Sequence, residues 1–254
     1  MTRYFKYGWN RDLPDARDYC RATKPVPHPD KVDLRPMMPP VFDQGQLGSC
    51  VAQASVAAFM YAYKKQTQRD CPVMSRLFVY YNARALENSI KSDDGCQIRD
   101  AVKQLVKLGA APEDEWQYVI SNFAVKPPKK AFDHALDHQL VLYSSVNQTE
   151  YAIENALASG LPVICGIMLY DSFESEEVAK TGIVPMPNVK KEHGLGGHAV
   201  LIVGYDKVNR LFLMRNSWGD DWGMGGYFTI PYAYILNPKL TSDFWQLSMV
   251  EEAA

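Results

Sequence analysis

A change of hydrophobic period half-way along the chain constrains its fold most strongly. From Cys50 to Leu108 apolar residues return at helical spacing. From Pro162 to Ile230 they come in short β-branched and aromatic runs broken by glycine and asparagine. The alanine-rich run Cys50–Tyr63 is predicted as a helix, with Ser49 as N-cap and residues 51, 54, 58, 61 and 62 on one apolar face. A second helix is predicted within Arg76–Leu86 after Ser75. A third spans about Ile98–Leu108, with Ile98, Val102, Leu105 and Val106 on one stripe and Gly109 as its stop. A short helix follows, capped by Asn147 and stopped at Gly160. Strands are then expected at Pro162–Leu169, His198–Asp206, Arg210–Asn216 and Gly225–Ile230, the middle two forming a hairpin around Lys207–Asn209. Helices first and strands later imply an α+β fold of two packed lobes. The expected division is an extension over residues 1–30 and a body over 31–254. Within the body a helical lobe covers about 43–145 and a β-rich lobe about 146–250.

Composition removes several function classes. The chain has 254 residues, with 27 Lys+Arg against 29 Asp+Glu, a formal charge of −2. It lacks the basic excess of a nucleic-acid binder, so no nucleic-acid partner is expected. With 47% hydrophobic and 22% charged residues the chain can build a full core. The longest apolar-leaning run, Val51–Tyr63, falls short of the about 20 residues of a bilayer span, so no membrane partner is expected. The N-terminal stretch has no signal-peptide pattern, which places the protein in the cytoplasm or on an export route the sequence does not display. Five cysteines without a CxxC pair exclude a zinc ribbon or thioredoxin-type site. No metal or organic cofactor is expected.

The hairpin carries the chemistry. Folding the chain about residues 207–209 brings His198 roughly opposite Asn216, and an amide oxygen there would hold the imidazole N–H and set its tautomer. Cys50 stands at the start of a predicted helix, where the helix dipole and free N–H groups favour a thiolate. Gln44 lies just upstream across the Gly45–Gly48 turn. Its amide N–H and the Cys50 backbone N–H can point at one oxyanion.

Three segments resemble the papain-like cysteine peptidases: Asp43-Gln-Gly-Gln-Leu-Gly-Ser-Cys50, Gly196-Gly-His198-Ala-Val-Leu-Ile-Val-Gly-Tyr205, and Arg215-Asn216-Ser-Trp-Gly219 with Trp222-Gly-Met-Gly-Gly-Tyr227. The resemblance covers about residues 32–250. It implies a two-lobed fold with the cleft between the lobes and peptide hydrolysis through an acyl-enzyme, with protein or peptide substrates. A protein inhibitor is a further partner to expect. By resemblance Cys50 is the nucleophile, His198 the general base and acid, Asn216 its orienter and Gln44 the oxyanion donor. Trp218 matches the indole that shields the His–Asn hydrogen bond. Gly166 and Gly197 would wall the pocket for the side chain two residues before the cleaved bond, and Asp94 and Gly95 would edge the shelf for the substrate backbone. Leu47 and Val51 replace the usual cysteine and aromatic beside the nucleophile, which suits a bacterial-type or intracellular branch. Only about thirty residues precede Asp33, against activation by removal of a large prodomain.

Other readings stand beside this one. A peptidoglycan amidase or a transglutaminase-like enzyme also uses a Cys–His pair, and an interaction protein can be built on an inactive protease fold. Cys20, Cys71, Cys96 and Cys165 read as packing residues, with Cys71 and Cys96 a conceivable pair. His134 and His138 fit a solvated helical face, His193 a loop, and His28 a proline-rich surface stretch. Asp93-Asp94-Gly95 lacks the further ligands of a calcium loop.

The extension carries Tyr4, Phe5, Tyr7, Trp9, Leu13 and Tyr19, too many apolar side chains for a free tail. It is expected to be an ordered strap. Placed along the back of the lobes it would be a clamp; placed across the cleft, with part of Asp12–Asp18 near Cys50, it would inhibit. The charges of Asp12–Asp18 favour solvent and hence the clamp.

Overall fold

The computed structural model describes residues 6–16, 18, 20 and 26–251. In chain order the regular elements are β1 (Trp9–Asn10), β2 (Lys31–Asp33), α1 (Cys50–Thr67), α2 (Arg76–Leu86), β3 (Cys96–Gln97), α3 (Ile98–Leu108), α4 (Lys129–Ala135), β4 (Leu140–Ser145), α5 (Glu150–Ala158), β5 (Val163–Tyr170), α6 (Glu176–Thr181), β6 (Gly194–Asp206), β7 (Leu211–Arg215), β8 (Tyr227–Pro231), α7 (Tyr232–Ile235) and β9 (Thr241–Val250). The two-lobed α+β architecture expected from the sequence is present.

Local chemistry sets most boundaries. Ser75 caps α2 by accepting the Phe78 N–H, and Gly109 ends α3 with φ +77°. The cap of α5 is Thr149, which accepts the Ala152 N–H, and not Asn147 two residues earlier. Ser49 makes no side-chain cap on α1; its hydroxyl meets the Tyr118 hydroxyl at 2.5 Å instead. Residues 50–62 of α1 are buried all round, Gln53 and Ser55 included, where the sequence implied one buried face. Alanine is the reason. Side chains this small let α2 and α3 approach on one side and β6 and β9 on the other.

The main sheet runs β4-β9-β5-β6-β7-β8, every pairing antiparallel. The C-terminal strand β9 lies between β4 and β5, so the chain's last strand is held inside the sheet. Alternate residues of β5 and β6 face opposite cores. Ile164, Ala199, Leu201 and Val203 join α1, while Val163, Cys165, Val200 and Ile202 join the aromatics of β7, β8 and α7. β2 extends the line of β5 along β6, pairing Val32 with Tyr205.

Candidate active site

Cys50 opens α1 and His198 lies in β6, so their elements cross where α1 packs on the sheet. The Cys50 Sγ accepts a hydrogen bond from the Ala199 N–H at 3.4 Å, next to His198 in the chain. His198 Nε2 lies 2.8 Å from Asn216 Oδ1. The β6–β7 ladder ends at Leu201 opposite Arg215, with a bulge between Ile202 and Gly204, so His198 and Asn216 meet just beyond the paired residues. The same Asn216 oxygen accepts the Ser217 N–H at 2.9 Å, which fixes the amide orientation. Trp218 is buried against the pair, its ring centroid 5.0 Å from that of His198.

The loop that carries Gln44 is tied to the same turn. The Gln44 N–H donates to Ser217 O at 2.9 Å, and the Ser217 hydroxyl donates to Gln44 Oε1 at 2.7 Å. That bond aims the Gln44 amide nitrogen at the carbonyls of Leu47 and Lys6, both at 2.9 Å. Ser217 thus positions Gln44, a role the sequence reading missed although the residue sits inside the Asn-Ser-Trp-Gly run. Asp93 was missed as well. Its carboxylate accepts the Gly48 N–H at 3.0 Å and the Tyr80 hydroxyl, and pairs with Lys6 Nζ at 2.8 Å. It anchors the loop that precedes the cysteine.

The cleft between the lobes is filled by the chain's own extension. The Lys6 carbonyl is the one that Gln44 holds. Tyr7 stands edge-on to His198 with ring centroids 6.4 Å apart, and its hydroxyl donates to Glu174. Gly8 runs between Gly48 and Gly95; a Cβ on Gly8 would lie 1.7 Å from Gly48 O, so only glycine fits. The Gly8 carbonyl accepts the Cys96 N–H at 2.9 Å, and β1 then pairs with β3 in parallel. The Trp9 ring rests on Gly166 and Gly197, where added Cβ atoms would meet ring carbons at 1.9 and 2.7 Å. Its indole N–H donates to Asp243 Oδ2 at 2.9 Å. Asn10 Nδ2 donates to the Asp94 carbonyl at 3.0 Å. Asp94, Gly95, Gly166 and Gly197 therefore all touch the strap.

This placement corrects the sequence reading twice. Residues 6–10 lie in the cleft, where the charges of Asp12–Asp18 had favoured the back. The segment near Cys50 is Lys6–Trp9, while Asp12 and Asp18 lie further on, at Trp245 and Arg99. Tyr4, Phe5 and Tyr19 fall outside the described residues.

Burial under the strap inverts the electrostatics expected at a helix start. Cys50 and His198 are both 0% exposed. Desolvation pushes the Cys50 thiol up to about 11, against the lowering pull of backbone N–H groups of Ala199 and Gly8. Burial lowers His198 to about 4, against the raising effect of Asn216. With the strap docked, burial favours the neutral form of both groups.

The remaining candidates disperse. All five cysteines are free, Cys71 and Cys96 included. His134 and His193 face Glu115 and Asp171 at 3.0 Å each, and His28 lies between Glu154 and Asn155. Among the described residues no group of three or more His, Cys, Asp or Glu side chains is arranged to hold a metal.

Comparison with known proteins decides the family. The model of the papain family cysteine proteases matches residues 28–237. The chain belongs to this family. An uncharacterized peptidase C1-like protein of Acanthamoeba polyphaga mimivirus is 43% identical over 218 residues, 83% of this chain and 70% of the viral protein. Cathepsin B-like CP3 of Giardia intestinalis is 30% identical over 220 residues, 80% of this chain and 69% of its own length. Among solved structures, xylellain, a cysteine protease from Xylella fastidiosa, superposes with a TM-score of 0.90 at 37% identity over 96% of each chain. Procathepsin L 3 of Tenebrio molitor shares the fold, with a TM-score of 0.73 at 20% identity over 92% of this chain and 75% of its own. The protein is a papain-family cysteine peptidase.

Proposed function

We propose that Cys50, His198, Asn216 and Gln44 carry peptide-bond hydrolysis on protein or peptide substrates, and that residues 6–10 hold the cleft closed until they are displaced. The 2.8 Å contact of His198 Nε2 with Asn216 Oδ1 supports the catalytic part, because Nε2–H donates to the amide oxygen and leaves Nδ1 as the base on the free side of the ring. When the strap leaves, water and substrate dipoles re-enter and favour the thiolate–imidazolium pair. The Cys50 sulfur attacks the scissile carbonyl. The Gln44 amide and the Cys50 N–H hold the oxyanion. His198 protonates the leaving amine, then takes a proton from the water that releases the acyl group.

The strap is a poor substrate for the site it fills. The strap's backbone hydrogen at the sulfur is that of Gly8, beside the Ala199 N–H from β6, while the carbonyl held by Gln44 belongs to Lys6. The occupant presents a donor to the nucleophile and so inhibits in cis.

Hydrolysis of a peptide library by the full chain tests this reading. Cys50→Ala should abolish turnover with an unchanged melting temperature, and His198→Ala should nearly do so. Gln44→Ala should cost about 10²-fold, the effect of one lost oxyanion donor. Asn216→Ala should cost less, because it orients without transferring a proton. Full turnover in Cys50→Ala would overturn the mechanism.

A further inference from the structure

Gln53 is an amide inside the alanine-rich part of α1, and it is 1% exposed. One end of the amide is accounted for. Nε2 donates to Ser49 Oγ at 3.1 Å, and Ser49 Oγ meets the Tyr118 hydroxyl, which donates to the Gln44 carbonyl at 2.9 Å. The Tyr118 proton is committed to Gln44, so Ser49 donates to Tyr118 and accepts from Gln53. This chain fixes the amide with Nε2 toward Ser49. The other end, Oε1, has no hydrogen-bond partner among the described residues.

Asn216 is 3% exposed and half-satisfied in the opposite sense. Its Oδ1 accepts from His198 Nε2–H and from the Ser217 N–H, while Nδ2 has no partner among the described residues. Gln53 and Asn216 line the same cavity, whose volume is about 10 Å³. The side-chain donors of Arg215 and Ser217, which also border it, hold the carbonyls of Pro39 and Pro40 and the Gln44 amide oxygen. The other walls are apolar, among them Phe42 and Leu201. A polar cavity of this volume is at the threshold for holding a single water. One open acceptor and one open donor are the pair that a single water satisfies.

We infer that this cavity binds one structural water, which donates to Gln53 Oε1 and accepts from Asn216 Nδ2, and that Gln53 is thereby a positioning residue for hydrolysis. The positioning role rests on the reading of His198 and Asn216 as catalytic; the water site does not. Two unpaired buried amide groups cost more than one water loses on being held. The bridge pins the Asn216 amide at its second end, so that Oδ1 stays on the imidazole. It also closes a polar chain from Asn216 through the water, Gln53, Ser49 and Tyr118 to the Gln44 loop. The orienter of the base and the oxyanion donor are then set by one network around the start of α1.

A high-resolution crystal structure of the full chain tests the water. One ordered water should lie within hydrogen-bond distance of both Gln53 Oε1 and Asn216 Nδ2. Gln53→Met keeps the side-chain length and removes the acceptor, and its crystal should lack that water. A dry cavity in the wild type overturns the inference. Peptide hydrolysis tests the positioning role. Gln53→Met should lower kcat by about 3- to 10-fold, the effect of one hydrogen bond, with KM unchanged. In an Asn216→Ala background the same substitution should cause no further loss, because the group it acts through is gone. An unchanged kcat in Gln53→Met, or an equal loss in both backgrounds, overturns the positioning role. If the wild type hydrolyses nothing, the catalytic reading fails and the positioning role falls with it, while the two crystals still decide the water.

Discussion

The two ends of the N-terminal extension are held by different physics. Residues 6–16 and 18 lie in the cleft and beyond it through separate contacts spread along the strap, among them the Lys6 carbonyl on Gln44, the Trp9 ring on a glycine floor and the Asp18 carboxylate on Arg99. Leu13 is 69% exposed, so part of this stretch gains little from burial. Residues 26–33 are built into the back of the molecule. β2 completes a ladder with β6, and His28 joins a buried cluster in which Glu154 accepts from Tyr232 at 2.9 Å and pairs with Lys207 at 3.2 Å. The front can be exchanged for a substrate that offers the same donors and apolar surface. The back cannot leave without breaking the β2–β6 ladder and removing His28, one partner of the buried Glu154. The placements that the sequence offered as alternatives, across the cleft and along the back, are both taken, by residues 6–10 and 26–33.

Breaking the back should have the largest effect. Glu154→Ala strands Lys207 and the Tyr232 hydroxyl and should cost about 3–5 kcal/mol of stability, seen as a lower melting temperature. The rate of the protein that remains folded should not rise. A variant that hydrolyses faster without losing stability would erase the distinction between the two stretches. Trp9→Ala comes next. Losing one large buried side chain is worth about 1.5–3 kcal/mol of docking, so hydrolysis should rise by roughly 10- to 100-fold with little change in melting. A fall in melting as large as that of Glu154→Ala would make the front a clamp as well.

The smallest effect is on pH. Burial, then the facing Asp243, raise the Asp12 carboxyl to about 6 in the docked strap, against the lowering effects of Trp245 and Arg99. Released, Asp12 returns to about 4. The docked state therefore binds the proton more tightly. The Asp12 contribution to docking is complete below about pH 4 and is lost as pH rises through 6. Between pH 5 and 7 the strap should loosen about ten-fold through this group. The rate profile of Asp12→Asn, divided by that of the wild type, should show that slope; a flat ratio sinks the pH argument.

Much of the site could be read before folding. The motifs around Cys50, His198 and Asn216 name their own chemistry, and Ser75 and Gly109 mark helix ends by local hydrogen bonding alone. What stayed hidden depends on distant partners. The charges of Asp12–Asp18 read as solvated because Arg99, on α3, is far away in sequence and supplies their counter-ion only in the fold. Gly8-Trp9 carries a signal, a glycine before an aromatic in a stretch without period. Its meaning needs Gly48, Gly95 and Gly166 brought together from three elements. Asn147 is by type the better cap of the two, yet Thr149 is the residue that caps α5.

The central claim is that residues 6–10 close the cleft over a neutral thiol. Alkylation of Cys50 by iodoacetamide at pH 7, followed by mass spectrometry of the Cys50 peptide, tests it most directly. Wild-type Cys50 should react more slowly than the exposed Cys20 of the same molecule, and Trp9→Ala should speed Cys50 by at least about ten-fold while leaving Cys20 unchanged. A Cys50 that reacts faster than Cys20 in the wild type, with no gain in Trp9→Ala, would contradict the closed cleft.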